Sequence, residues 1–263
     1  MPCTWAGNWN GPNAAFGTAC LLFRNKTTEA LLMGKTVFFF DIGHTLVTGA
    51  QASPRRLLGA ALKLNETQTK TVGKLLMTLP ATDPETVGRA VAAVLPDHDP
   101  TVVLGEVRRL WEEQTACVRE IPGATALVRR LITAGHGVGL ISNIWHPFFV
   151  GFQKSCPEID TWADFRFLSY REGVKKPAEA LFEKAVHAAR LRGFDQWWMV
   201  GDSYELDMEP ARAAGMRGLW ILHRPERERA LLADILNGTK PAPEGSVADL
   251  VDVVGFLEKR GLL

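Results

Sequence analysis

The chain has 263 residues, 46% of them hydrophobic and 22% charged, with a formal net charge of +1. That length suits one large domain or a domain carrying an insertion, and the near-neutral balance excludes a global field aimed at nucleic acid. No apolar run approaches the ~18 residues of a membrane span, and Cys3, Cys20, Cys117 and Cys156 lack metal-ligand spacing, so a reducing, cytoplasmic setting is expected.

Residues 1–35 read as an N-terminal extension of unreadable role, rich in Gly, Asn and Trp through residue 32 and without sustained periodicity. Its expected contribution to the core is small. Val37-Phe38-Phe39-Phe40 then reads as a fully buried strand, ending at Asp41 and a loop of Gly43, His44 and Thr45. From Ser53 to about Glu120 the pattern is helical. Ser53-Pro54 suits a helix start. Leu57, Leu58, Ala61, Leu62 and Leu64 recur at helical spacing, and Pro80, Pro84, Pro96 and Pro100 punctuate three further helices. The longest, Val103 to Val118, carries Val107, Leu110, Trp111 and Ala116 as a candidate apolar stripe.

After Ile121-Pro122-Gly123, helix and strand alternate. Ala124 to Ala134 is a helix, Gly137 to Ile141 a strand ending at Ser142-Asn143, and Ala178 to Leu191 a helix. Trp197 to Val200 is a strand ending at Gly201-Asp202, with Trp197-Trp198 filling the sheet core. Glu209 to Ala214 is a helix, Gly218 to Leu222 a strand, and Val247 to Lys259 a closing helix. Such alternation implies a parallel, doubly wound sheet. The expected division is a core of 36–50 and 119–263, with an all-helical cap over 51–118.

In open α/β sheets, ligands bind at the carboxyl ends of the strands. Asp41, Ser142 and Asp202 fall at three such ends, and Lys176 precedes the helix between the second and third. Each alone has a plain reading, as a helix cap, a turn hydroxyl or a surface charge. Together they form an acidic nucleophile, a hydroxyl donor, a cation and, with Asp207, a carboxylate pair. That set suits phosphoryl transfer: Asp41 attacks phosphorus, a hard divalent cation on oxygen ligands shields the like charges, and Ser142 and Lys176 hold the phosphoryl oxygens.

FDIGHTL (Phe40 to Leu46), GLISN (Gly139 to Asn143), GVKKP (Gly173 to Pro177) and VGDSYELD (Val200 to Asp207), in this order, resemble the haloacid dehalogenase-like hydrolase superfamily. The resemblance spans about residues 36–263. It implies an α/β fold: a Rossmann-like doubly wound parallel sheet core with an inserted all-helical cap. It implies a magnesium-dependent phosphatase with Asp41 as nucleophile, and with Thr45, Ser142, Asn143 and Lys176 on the substrate phosphate. Asp41, the Gly43 carbonyl, Asp202 and Asp207 are the implied metal positions, Asp207 as ligand or support. The expected partner is a small-molecule phosphate ester, with no nucleic acid and no membrane; oligomeric state is left open.

This chain departs from the family pattern at Gly43, where phosphatases carry an Asp that protonates the leaving oxygen and activates water. General acid–base help is typically worth ~10²–10⁴-fold, so a weakly active or non-catalytic scaffold is the alternative. A 2-haloacid dehalogenase also lacks that Asp, but does not use magnesium. A phosphonatase needs a cap lysine, for which Lys63, Lys70 and Lys74 are available. His44 is a weak candidate to replace the missing acid. Trp145 and His146, in the loop after the second strand, are expected to pack, with substrate contact the second possibility.

Overall fold

A computed structural model describes residues 35–49 and 52–263; the N-terminal segment 1–32, expected to add little to the core, lies outside the described residues. Among those described, six parallel strands form one sheet in the order β5-β4-β1-β6-β7-β8. They are β1 (Thr36–Phe40), β4 (Gly137–Ser142), β5 (Phe165–Leu168), β6 (Gln196–Gly201), β7 (Arg217–Ile221) and β8 (Gly245–Val247). A two-residue antiparallel ribbon, β2 (Val47–Thr48) with β3 (Arg119–Glu120), forms a second sheet.

β1 is central, and every residue in it is buried. Alternate side chains leave a strand on opposite faces. Phe38 and Phe40 join one apolar cluster, whereas Val37 and Phe39 join another. On the first face pack α5 (Ala124–Thr133), through Leu127, Val128 and Leu131, and α12 (Asp252–Glu258), through Val253 and Leu257. On the second pack α9 (Glu179–Leu191), through Leu181, Phe182 and Ala185, and α10 (Glu209–Ala213), through Ala211. Trp198 is buried as the sequence indicates, and its ring stacks on Phe38 at 6.1 Å. Trp197 is only partly buried at the edge of the other cluster.

Between β2 and β3 the chain makes four helices: α1 (Pro54–Ala61), α2 (Glu66–Thr78), α3 (Pro84–Ala93) and α4 (Pro100–Ala116). Their starts follow from local chemistry. Pro54, Pro84 and Pro100 occupy first-turn positions, where the missing N–H costs nothing. Asn65, Asp83 and Asp99 cap with side-chain oxygens, Asn65 in a reciprocal box with Gln68. The helices bury Leu58, Val72, Leu76, Val91, Val107 and Leu110 in a third cluster, which Trp145 joins from outside the insertion.

Several elements differ from the sequence expectation. In α4 the buried positions are Val103, Val107, Leu110 and Gln114, and Ala116 is exposed. A glutamine therefore completes the stripe. The closing helix starts at Asp252 because Gly245–Val247 is spent on β8, which pairs with β7. β5, α6 (His146–Ser155), α7 (Pro157–Trp162), the one-turn α8 (Ser169–Glu172) and α11 (Arg229–Leu236) are additions to the predicted elements.

Candidate active site

Sheet register brings the polar strand ends together. Phe40 pairs with Leu140 on one side and Val200 on the other. Asp41, Ser142 and Asp202 therefore emerge at one edge, and the Asp41 N–H donates to the Val200 carbonyl at 3.0 Å. Lys176 reaches the same place from the loop before α9. Its main chain is clamped by Asn143, which accepts from the Lys176 N–H at 2.7 Å and donates to the Lys176 carbonyl at 3.0 Å. Its buried ammonium contacts Asp41 at 2.8 Å and Asp207 at 2.6 Å. Burial alone would lower the Lys176 pKa; Asp207 and Asp41 outweigh it and push the pKa up. The lysine is thus a fixed cation.

Asp207 arrives by a local irregularity. After Asp202 the chain makes a π-helical turn, Tyr204–Met208, a form that often marks functional sites. The turn folds Asp207 back so that it accepts from the Ser203 N–H at 3.0 Å as well as from Lys176. Gly201 permits the approach, since a Cβ there would collide with the Asp207 carboxylate. Burial pushes the Asp207 pKa up, against the pull of Lys176.

Oxygens of Asp41, Asp202 and Asp207 lie within 4.8 Å of one another. Burial first, then the Asp41 and Asp207 charges, push the Asp202 pKa up to about 7, although Arg224 pairs with it directly. Three converging carboxylates with a raised pKa among them make a hard-oxygen donor set that fits a divalent cation such as magnesium. Thr45 adds a fully buried hydroxyl with no partner among the described residues.

Above this floor is a cavity of about 620 Å³, in the range of small-molecule sites. Gly43, His44, Ser142, Asn143 and Lys176 line it from the core, and Arg55, Arg56, Gly73, Met77 and Gln114 from the helical insertion. Trp145 is both packed and lining: it is 2% exposed, enters the helical cluster, and donates its indole N–H to Gln114 at 3.4 Å. His146 instead stacks on Trp111, at 5.5 Å. Lys63, Lys70 and Lys74 are exposed and do not line the cavity.

At Gly43 a Cβ would meet nothing within 4 Å. The adjacent His44 has φ 59°, and its N–H donates to the Val47 carbonyl at 2.7 Å. Its ring lies 6.3 Å from that of His223. Burial and then Arg224 lower the His44 pKa, with Asp41 opposing. Arg224, which pairs with Asp202, His223 beside the His44 ring, and Gln114 in the cavity wall are neighbours of the candidate site that sequence reasoning missed. His223-Arg224 directly follows a predicted strand, so the strand-end rule applied there would have found them.

A family model described as haloacid dehalogenase-like hydrolase matches residues 35–215. A glyceraldehyde 3-phosphate phosphatase of Pyrococcus abyssi is 31% identical over 124 residues, 47% of this chain and 51% of that protein. The chain thus matches about half the length of this curated relative. A 2-haloacid dehalogenase from Pseudomonas syringae superposes with a TM-score of 0.55 at 19% identity, covering 87% of this chain and 100% of the other. A HAD-hydrolase from Bacillus subtilis bound to magnesium gives 0.52 at 18% identity, covering 86% and 99%. These two similarities establish the fold.

Proposed function

The chain belongs to the haloacid dehalogenase-like hydrolases, and from that premise we propose that it hydrolyses the phosphate monoester of a small metabolite through a phosphoaspartate on Asp41. The observation that carries this is the Asp41–Lys176–Asp207 chain, a strand-end carboxylate held by a buried cation beside an anion-lined floor. The name of the Pyrococcus relative also supports a small phosphorylated substrate.

Asp41 is the nucleophile. One of its oxygens attacks phosphorus as the P–O bond to the ester oxygen breaks; that oxygen leaves with the organic part and takes a proton from solvent, since position 43 carries no acid. Water then attacks the same phosphorus, releasing phosphate and freeing the carboxylate. Lys176 and the Ser142 and Thr45 hydroxyls hold the phosphoryl oxygens as charge shifts onto them. Asn143 fixes the Lys176 backbone, and Asp207 fixes its ammonium. Asp41, Asp202 and the Gly43 carbonyl, backed by Asp207, would hold magnesium, which supplies positive charge against the phosphate dianion. We infer a cytoplasmic setting, in keeping with the buried Cys156 thiol; no described helix is long and apolar enough to cross a membrane.

Gly43 favours one second reading, a weakly active or non-catalytic scaffold. The dehalogenase alternative leaves the Asp202–Asp207 pair unexplained, and for the phosphonatase alternative no lysine of the helical insertion lines the cavity among the described residues. The test is hydrolysis of p-nitrophenyl phosphate with magnesium. The expected result is turnover that Asp41→Asn abolishes. No turnover of any ester by folded, magnesium-loaded protein would leave the scaffold.

A further inference from the structure

The cavity walls are charged in one sense. No carboxylate among the described residues lines the cavity, whereas Arg55, Arg56, Lys175 and Arg227 do, and none of these four has a carboxylate partner among the described residues. Arg55 and Arg56 come from the first turn of α1, in the helical insertion, whereas Ser142 and Lys176 come from the sheet and its loops. The Arg55 stem lies over Gly73 of α2, where a Cβ would meet its Cδ at 2.8 Å. A side chain at position 73 would displace it.

Gln114 is the second, independent observation. It is 1% exposed, stands in the wall, and interrupts an otherwise apolar stripe. The Trp145 indole can only donate, so Gln114 Oε1 must be the acceptor and Nε2 is left as a donor. That Nε2 has no partner among the described residues. Buried donors without acceptors are uncommon. A donor amide in the same cavity wall as two unneutralised guanidinium groups offers a second oxyanion partners other than Ser142 and Lys176.

We propose that the substrate is a phosphorylated hydroxy acid, whose carboxylate is read by Arg55, Arg56 and Gln114 while its phosphoryl group sits at Ser142 and Lys176. This rests on the phosphatase reading and refines it: an acid is preferred over an aldehyde of the same skeleton. Charge pairs at partly exposed positions each contribute modestly, so the expected preference is on the order of tenfold.

Calorimetry on the magnesium-loaded Asp41→Asn protein tests it, since binding is read without turnover. The probes are 3-phosphoglycerate and glyceraldehyde 3-phosphate. The expected result is ~10-fold tighter binding of the acid, lost in Arg55→Ala/Arg56→Ala and largely kept in Arg55→Lys/Arg56→Lys. Gln114→Glu, which keeps an acceptor for Trp145, should weaken the acid and spare the aldehyde. Equal affinities, a preference untouched by the arginine changes, or binding of neither ester would overturn the inference. Failure of the phosphatase reading would look different: no turnover by the unsubstituted protein, with the acid preference intact.

Discussion

Restoring a carboxyl group at position 43 isolates what the missing residue does. The substitution Gly43→Asp is sterically open, because nothing lies within 4 Å of the new Cβ and Gly43 is not among the positive-φ glycines. The loop backbone is independently held by the Gly43–Val47 bridge and the His44 N–H bond to Val47. Removing glycine's freedom from the unfolded chain stabilises by about 0.4–1 kcal/mol at a compatible site, so melting temperature should hold or rise slightly. The chemical effect is larger. Burial first, then the Asp41 and Asp207 charges, push Asp202 up to about 7; a carboxyl at position 43 would stand in more open space, two residues from Asp41, whose negative charge favours its protonated form. General acid–base catalysis is worth ~10²–10⁴-fold, and the lower end suits a residue not refined for the geometry. The expected outcome is a gain of ~10²-fold in kcat/KM for an alkyl phosphate and little change for p-nitrophenyl phosphate, whose leaving group needs no proton. The assay is magnesium-dependent phosphate release from both esters, for the wild type and the variant. Vigorous wild-type turnover of the alkyl ester would refute the reasoning, because His44 or another group would already supply the proton. Equal gains on both esters would refute it as well.

Asp202→Ala should weaken magnesium binding by more than the ~10–100-fold typical of an outer-shell partner; unchanged affinity by calorimetry would remove Asp202 from the metal set. Asp207→Ala leaves the buried Lys176 ammonium with one fewer counter-charge, and should cost about 3–5 kcal/mol by denaturant titration; a loss under 1 kcal/mol would mean that the pair is not what fixes Lys176. The raised Asp202 pKa also has a sign: without metal its stabilising contribution is present below pH ~4 and is lost as pH rises through about 7. Magnesium requires the ionised form, so its increment in melting temperature should be larger at pH 8 than at pH 6; a pH-independent increment would place the titration elsewhere.

How much of this was legible depended on how each element advertises itself. β1, β4 and β6 read clearly because strands buried on both faces in a parallel sheet are continuous apolar runs, and their polar ends form the candidate site. β5 hid because Arg166 interrupts Phe165–Leu168, its charge satisfied by Asp160. β8 hid because three residues between turn segments carry no period. α6 and α7 hid behind Pro147 and Pro157, which open the helices and looked like breaks. The ribbon of β2 and β3 joins segments 71 residues apart, a pairing no local pattern encodes. In the helical insertion the signal was present and misplaced: positions 103, 107, 110 and 114 share one helix face, so a polar residue at 114 was already anomalous.

Two opposite charge patterns meet at the strand ends. The floor gathers three carboxylates around Lys176 and Arg224, which leaves it acidic, while the wall above carries unneutralised cations and no carboxylate among the described residues. On the proposed reading the wall field attracts an anionic ester, but the floor repels it at the point where Asp41 would meet phosphorus. A divalent cation on Asp41 and Asp202 would resolve that conflict locally and leave the wall charges for the rest of the substrate. On the proposed reading, then, metal and cap divide the anion between them. The floor with its metal takes the phosphoryl group, which every phosphate ester shares. The cap takes the remaining acid, and selectivity among esters resides there.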